Sequence, residues 1–509
     1  MPERAHQLTG ISINILAIPS YYFRGSLVHA IVTPRQLAHL LRVVKLEDLP
    51  RKAIAIIMKT DKYVPISDFY AGRSIFITGG TGFLGIVLIE KLLYGCPDIG
   101  NIYILVREKK GVSPAERVKN LVNSPVFERL KTDKPENLKK IIPVIGDLTE
   151  LNLGISTQDL QILYDEVSVV FHLAATIKFN EPLSVAVKIN VGGTEEVIKL
   201  CQNMKNIEVF VYMSTIFSNT DHERKTIVEK LYPSPKHMDE VYRMIEENDP
   251  KETFSPEVLC GRPNTYTFTK ALAENIVAEK RGSLPTVMIR PSVVTPVKDE
   301  PAKGWIANWM GPTPILTLLA KGWVRGLYGE NEFTFEIIPV DYVVNMTIIA
   351  AARQNRSKVL SIYHSCSTAD NPLTVLNAKI NYLKESSKHN FNELPFPGLI
   401  FTTSNWLLFI IAFIFQTIPA YLGDLVLYLS GRPIRYIKML KKLELCVSTL
   451  KYFSSRCWAM KASRAQELIG TLNEQDKKKF PCNPRDINWE EYMATYFNGV
   501  NKYLINRSS

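Results

Sequence analysis

Ile77-Thr-Gly-Gly-Thr-Gly-Phe-Leu-Gly85 decides the fold of this 509-residue chain. The run Ser74–Thr78 that leads into it is short and apolar, and residues 84–94 after it carry helical patterning. A glycine loop between a strand and a helix N-terminus is a seat for a dinucleotide pyrophosphate, because backbone N–H groups and the helix dipole face the anion. Gly79, Gly82 and Gly85 keep the spacing G-x-x-G-x-x-G. Lacking a Cβ, they allow a tight turn, close approach of the phosphates and close helix–strand contact. The candidate cofactor cradle is Thr78, Gly79, Gly80, Thr81, Gly82, Phe83, Leu84 and Gly85. Without its flanking strand and helix the same string would be an ordinary turn.

Working outward, strand-like runs recur at 101–106, 141–145, 167–173 and 209–213, alternating with helical patterns. That rhythm predicts a doubly wound parallel α/β sheet. The second strand ends Val106-Arg107-Glu108. An NAD site would place an acid near this strand end for the ribose 2′-hydroxyl, and Glu108 comes one residue late for that. Arg107 instead offers a planar cation to a 2′-phosphate, so NADP(H) is expected. Asp147, with Leu148 beside it, follows the third strand and suits the adenine amino group, though a helix cap would look the same. Ala174 and Ala175, after the fourth strand, are small enough for a cofactor to lie against the backbone.

Downstream, Tyr266-Thr-Phe-Thr-Lys270 sets a phenol and an ammonium one helical turn apart on one face. The ammonium is expected to favour ionisation of the phenol, whose ordinary pKa is about 10. Together with the glycine loop, this pair indicates a nicotinamide-dependent carbonyl reductase. Thr215 at the end of the fifth strand is the expected partner that polarises the carbonyl, with Ser214 in support; a strand-end hydroxyl that caps the next segment is the structural alternative. Asn190 would order a water chain to Lys270 or cap a helix. His172 reads as a structural residue within the fourth strand.

Composition bounds the rest. With 46% hydrophobic and 22% charged residues the chain folds, and its length calls for two or three domains. The net charge of +11 is concentrated informatively: from Gly431 to Arg464 there are nine Lys/Arg against the single acid Glu444, just after the most apolar part of the chain. That placement suits an anionic membrane surface better than nucleic acid, with a solvated helix face as the alternative. Seven scattered cysteines without a C-x-x-C pair fit reduced thiols facing the cytosol and offer no metal site. No signal peptide is recognisable at the N-terminus.

Three segments are expected: an extension of unknown role over 1–68, with Met58 as an alternative start; a catalytic sheet domain over 69–362; and a helical part over 363–509. Within the last, residues 394–423 carry no charge, and 399–418 is about long enough to cross a bilayer before Pro419. A span, an interfacial insertion and a buried helix are the three readings.

Longer strings carry a family resemblance from about Phe69 to Tyr503. They include Phe69-Tyr-Ala-Gly, Phe171-His-Leu-Ala-Ala-Thr, Val211-Tyr-Met-Ser-Thr215, Gly261-Arg-Pro-Asn-Thr-Tyr-Thr-Phe-Thr-Lys-Ala-Leu-Ala-Glu274, Ile289-Arg-Pro-Ser292, Glu300-Pro-Ala-Lys-Gly-Trp305 and Trp489-Glu-Glu-Tyr492. The chain resembles the alcohol-forming fatty acyl-CoA reductases, which are extended short-chain dehydrogenase/reductases. Phe217 stands where that family often has tyrosine. The resemblance implies a Rossmann-type domain with a membrane-associated C-terminal part, NADPH as reductant, Pro291 among the cofactor residues, and a long-chain fatty acyl-CoA reduced through an aldehyde to the alcohol. It implies no covalent acyl-cysteine. Residues 220–259 are then a candidate cover for the acyl-CoA, and Trp305–Gly311 a candidate lining of its path. A cytosol-facing active site on the endoplasmic reticulum membrane is expected, with the peroxisomal membrane as the alternative. The rival readings are another extended dehydrogenase, such as a sterol dehydrogenase or a nucleotide-sugar epimerase, and a scaffold that binds cofactor without turnover.

Overall fold

The computed structural model describes residues 63–506, apart from 110, 222–225, 248–257, 355 and 396. Met58, most of the 1–68 extension and part of the 220–259 insertion lie outside the described residues.

Seven strands form one parallel sheet: β1 (Ser74–Thr78), β2 (Ile102–Val106), β3 (Ile141–Ile145), β4 (Val167–His172), β5 (Val209–Met213), β6 (Thr286–Pro291) and β7 (Ser361–Ser365). Their order is β7-β6-β5-β4-β1-β2-β3. The chain thus winds outward from β1 in one direction and then, from β4, in the other. A crevice opens where the direction reverses, beyond the carboxyl ends of β1 and β4, and open α/β sheets bind ligands there.

Side-chain alternation builds the two layers. Ile75, Ile77, Val169, Phe171 and Val211 join the core shared with helices α1 (Phe83–Gly95) and α4 (Val340–Arg353). Phe76, Val170, Phe210 and Tyr212 enter the opposite core, shared with α2 (Gly193–Gln202) and α3 (Thr265–Lys280). Strands covered on both faces are apolar throughout, which is why β1, β2 and β5 read as continuous hydrophobic runs. Pro143 is tolerated because β3 is an edge strand.

The sheet continues past the expected boundary at 362/363: β7 crosses it, because Ser361–Ser365 pairs in parallel with β6. The other boundary also shifts, since a short helix, Ile66–Tyr70, begins inside the 1–68 segment and its Tyr70 hydroxyl donates to the carbonyl of Ile348 on α4.

After β7 the structure is mainly helical: α5 (Val375–Ser387), α6 (Asn405–Leu429), α7 (Tyr436–Ser454) and α8 (Trp489–Val500). Residues 399–418 are not one helix, because Ile400–Thr402 pairs as a strand with Gly326–Tyr328. The apolar helix is displaced to α6, which is long and apolar enough to cross a membrane. Pro419 does not end it. It sits in the first turn of the segment that follows a π-helical turn at Phe413–Thr417, where its missing N–H is not required.

That π turn has a packing consequence. It adds one residue to the helical step, so Ile411, Gln416, Ala420 and Asp424 stay on a single buried face, at 5, 7, 0 and 4% exposure. The carboxylate of Asp424 accepts from the backbone N–H groups of Arg435 and Tyr436 at 2.8 Å and of Ile437 at 2.9 Å, capping α7. On the other faces, Trp406, Phe409, Phe415, Tyr421, Val426, Tyr428 and Leu429 are exposed.

Candidate active site

Backbone proximity explains the glycine loop. Gly79 has φ +76°, and a Cβ there would meet the amide nitrogen of Ala174 at 2.7 Å. A Cβ on Gly85 would meet the Gly79 carbonyl oxygen at 2.3 Å, so only glycine lets α1 begin this close to β1. A cavity of about 1110 Å³ opens over the loop and runs on toward the C-terminal helices.

Most expected cofactor residues line this cavity: Gly79, Thr81, Gly82, Phe83, Leu84, Gly85, Arg107, Asp147, Leu148, Ala174, Ala175, Lys270 and Pro291. Thr78 and Gly80 do not. Thr78 is fully buried, and its hydroxyl bonds His172 Nδ1 at 2.6 Å, while His172 Nε2 reaches Thr194 Oγ1 at 2.9 Å. Burial pushes His172 down to about 3, so the ring is a neutral tie between β1, β4 and α2, the structural role its sequence position suggests.

At the outer end of the loop, Arg107 pairs with Asp147 at 2.7 Å. Asp147 also accepts from the backbone N–H of Thr149 at 2.9 Å, making an Asx-type turn rather than a helix cap. Burial raises its pKa, but the Thr149 and Arg107 hydrogen bonds outweigh that and hold the carboxyl below its ordinary range. A second guanidinium, unforeseen in the sequence, completes this end. Arg117 donates to the Arg107 carbonyl at 2.7 Å and to Thr81 Oγ1 at 2.6 Å, and it lines the cavity. Its only sequence signal is the Ser113-Pro114 start of a helix, Pro114–Val122, that turns back toward the loop.

Tyr266, Lys270, Ser214 and Thr215 converge on the cavity next to Pro291. Asn264 caps α3, accepting from the backbone N–H of Thr267 at 2.9 Å, and this fixes where the Tyr–Lys face starts. Thr215 Oγ1 accepts from the Phe217 N–H at 3.3 Å and so caps the turn after β5, as the structural alternative has it, and it also lies near enough to the Tyr266 phenol to lower its pKa. The electrostatics differ from expectation. Burial raises Tyr266 to about 12, against the lowering effect of Thr215. Lys270 donates to the Met213 carbonyl at 2.7 Å rather than to the phenol, and burial lowers it to about 7 against the raising effect of Glu274. The pair therefore joins a phenol that stays protonated to an amine that exchanges protons near neutrality.

Asn190 stays off the cavity wall. Held in a π turn, Lys188–Gly192, it accepts from the Thr176 N–H at 2.9 Å and donates to Thr269 Oγ1 at 2.9 Å, clamping the loop after β4 to α3. It is a positioning residue and not a cap. Ser214, which also lines the cavity, is tied to the scaffold. It donates to Glu274 at 2.6 Å, and Glu274 forms a two-pronged ion pair with Arg290, both bonds 2.8 Å, with both residues no more than 1% exposed. Burial raises Glu274, but Arg290 outweighs it and holds the carboxyl below its ordinary range. This pair sits inside two strings quoted above, yet their partnership across α3 and β6 has no local sequence signal.

Toward the helices the lining turns apolar, with Phe179, Phe217, Leu319, Leu327, Phe401 and Phe453. Phe179 stacks on Tyr266 with centroids 6.1 Å apart, and Phe453 of α7 lies 5.9 Å from Phe179 and 5.1 Å from Phe217. The Tyr452 hydroxyl donates to the Gly261 carbonyl at 2.9 Å, so the end of α7 is pinned beside the start of α3. Among the described residues of 220–259 none lines the cavity, and α7 and residues 308–337 contribute to its wall. Asn308, Met310 and Gly311 do line it, as expected for 305–311, whereas Trp305 is buried against Phe83.

Two family profiles, both described as male sterility protein, match residues 77–347 and 415–507. Fatty acyl-CoA reductase 1 of Rattus norvegicus is 36% identical over 449 residues, 87% of this chain and 87% of its own length. Fatty acyl-CoA reductase 2 of Mus musculus is 36% identical over 446 residues, 86% of each chain. Among solved structures, the terminal R domain from the myxalamid PKS-NRPS pathway is similar with a TM-score of 0.56 at 22% identity, covering 85% of this chain and 91% of its own. The reductase domain of a nonribosomal peptide synthetase from Mycobacterium tuberculosis has a TM-score of 0.57 at 18% identity, covering 89% and 96%. At those identities the two structures speak for the fold alone.

Proposed function

Because this chain belongs to the fatty acyl-CoA reductase family, we propose that it reduces a long-chain fatty acyl-CoA with NADPH to the primary alcohol and CoA, through an aldehyde. The observation that carries this reading is the continuity of one cavity, from the glycine loop, past Tyr266 and Thr215, into a long apolar wall.

The residues at its polar end fit a dinucleotide. Gly79 and Gly85 keep open space that a Cβ would fill, and Arg107 and Arg117 bring two cations to the end of β2, where a 2′-phosphate would lie. NADPH, when bound, supplies hydride. Tyr266 then delivers a proton to the oxyanion that forms on the substrate carbonyl, with Thr215 bonded to the same oxygen. A phenol near 12 is a weak acid toward a neutral carbonyl but a competent one toward an alkoxide. Lys270, near 7, restores the proton at neutral pH. The first product, a thiohemiacetal, loses CoA to give the aldehyde, and the same groups serve its reduction.

The C-terminal region supports a membrane-bound enzyme whose α6 lies in the plane of the bilayer. A spanning helix leaves the protein body, whereas α6 keeps a buried face from Ile411 to Asp424. Its opposite faces are apolar, and the nine cations of 431–464 follow it, a pattern suited to interfacial insertion at an anionic leaflet. An acyl chain would then pass from lipid to the Phe453 end of the cavity over a short path.

The test is to supply an acyl-CoA series with NADPH and identify products by mass. Aldehyde and alcohol with stoichiometric CoA support the reading; NADPH bound with every thioester intact would refute it.

A further inference from the structure

A carboxyl group on the substrate side of the cavity has no part in the scheme above. Glu336 lines the cavity, and both of its carboxylate oxygens are shielded from solvent without a hydrogen-bond partner. Ser292, 4% exposed and lining the same wall, carries a second buried polar atom without a partner, its hydroxyl. Buried polar groups are normally bonded, since leaving one unpaired costs about 1–3 kcal/mol. Two together mark a spot on the wall where buried polar atoms await a partner.

The backbone sets this spot close to the chemistry. Met213 pairs with Ile289, and the Ser214 N–H donates to the Ile289 carbonyl at 2.8 Å, which brings Thr215 level with Pro291. One residue on, the Val293 N–H donates to the Glu336 carbonyl at 3.2 Å, and Ile337 pairs with Val293, which brings Glu336 level with Ser292. Thr215 and Glu336 are thus linked through the Pro291-Ser292 backbone, and both line the one cavity. A thioester whose oxygen rested at Tyr266 and Thr215 would share this cavity with Glu336.

We propose that Glu336 is the acid that protonates the departing sulfur when the thiohemiacetal collapses. The inference rests on the acyl-thioester reading above. In this step the C–S bond breaks and its electron pair stays on sulfur, which takes the Glu336 proton to leave as the thiol. The hydroxyl proton of the thiohemiacetal returns to the Tyr266 phenolate as the C=O bond forms, so that Lys270 restores the phenol only after the aldehyde is reduced. Glu336, left as a carboxylate, regains a proton from water after product release. Burial raises Glu336 to about 8, so the acid form is available at neutral pH and is matched to a thiol of ordinary pKa near 8.5. Cys366 is the titratable neighbour, and Glu336 in turn helps to raise that thiol.

Because an aldehyde carries no sulfur, the two half-reactions separate the roles. The full-length chain is assayed with a long-chain acyl-CoA and with the matching free aldehyde. Glu336→Gln, a neutral group of similar shape, should lower acyl-CoA turnover at least ~10-fold and leave aldehyde reduction and NADPH binding within ~2-fold. An acyl thiophenyl ester, whose thiolate leaves without help, should restore the variant. The wild-type acyl-CoA rate should also fall as pH rises past about 8, a limb absent from the aldehyde profile and from the variant. Equal losses on both substrates, or no loss on either, would overturn the proposal. If the Gln variant does not fold, Glu336→Asp gives the same comparison, with a shifted pH limb expected and an unshifted one contrary. A wild-type enzyme that reduces aldehydes but no acyl-CoA would overturn the thioester reading and this inference together.

Discussion

Arg107→Ala should weaken NADPH while sparing NADH. In the structure the guanidinium is about half exposed, at 52%, and already pairs with Asp147 at 2.7 Å. Binding a 2′-phosphate therefore exchanges one charged partner for another, which reduces the gain. A hydrogen bond to a charged group contributes about 1.5–3 kcal/mol, and exposure places this one near the lower limit. A loss of about 1.5 kcal/mol is ~10-fold in Kd. Arg117→Ala should cost less selectively, because Arg117 also braces Thr81 in the glycine loop, which serves both cofactors. The Arg117 bond to the residue 107 carbonyl survives in Arg107→Ala, because that acceptor belongs to the backbone, so Arg117 keeps its place in the single variant. Nicotinamide fluorescence titrations at low and high salt give all these values, and the Arg107 effect should shrink as salt rises. Equal losses of NADPH and NADH in Arg107→Ala would refute the 2′-phosphate role.

Gly85→Ala should weaken both cofactors together, because its Cβ would sit 2.3 Å from the Gly79 oxygen and 2.6 Å from Gly80 Cα, pushing α1 off β1; thermal melts should show a loss of about 1–3 kcal/mol. Glu274→Gln leaves Arg290 buried without its counter-charge and should cost about 3–5 kcal/mol in denaturant titrations, most of it recovered in Glu274→Leu/Arg290→Met; a loss below 1 kcal/mol would contradict the ion-pair account. The folded pKa of Glu274 is lowered, so its contribution is present above the unfolded carboxyl range and is lost as pH falls through the folded value. For α6, Phe415→Trp and Tyr428→Trp, compared with the native Trp406, should be quenched by brominated lipids at one shallow depth; a deep maximum at 415 flanked by shallow ones would indicate a span.

What the sequence disclosed follows the range of the forces involved. β1 to β5, the glycine loop and the Tyr266–Lys270 face were legible because each is encoded within a few residues, by apolar runs, missing Cβ atoms or helical spacing. The place of Arg107 on the cavity wall was legible for the same reason, as the residue that follows a strand pattern. The cavity positions of Arg117 and Glu336 and the Glu274–Arg290 pair were not, because each depends on a partner or a void far along the chain. The opposite displacement of Tyr266 and Lys270, to about 12 and about 7, arises from burial, and spacing alone suggested an ammonium resting on the phenol. The apolar helix was placed too early, because residues 399–403 resemble the helix in composition but are claimed by a strand partner at 326–328. Its buried face depends on Gln416 and Asp424 turning inward, which a π turn decides.

The central claim is that Tyr266 delivers the proton in a reduction at the thioester carbonyl. The direct measurement is single-turnover reduction of a long-chain acyl-CoA by Tyr266→Phe with saturating NADPH, with aldehyde, alcohol and CoA quantified by mass. The phenyl ring keeps the stack on Phe179 and removes only the hydroxyl near Thr215. The expected result is NADPH bound as in the wild type, with aldehyde and alcohol both reduced at least ~100-fold. Alcohol formed at the wild-type rate would contradict the account.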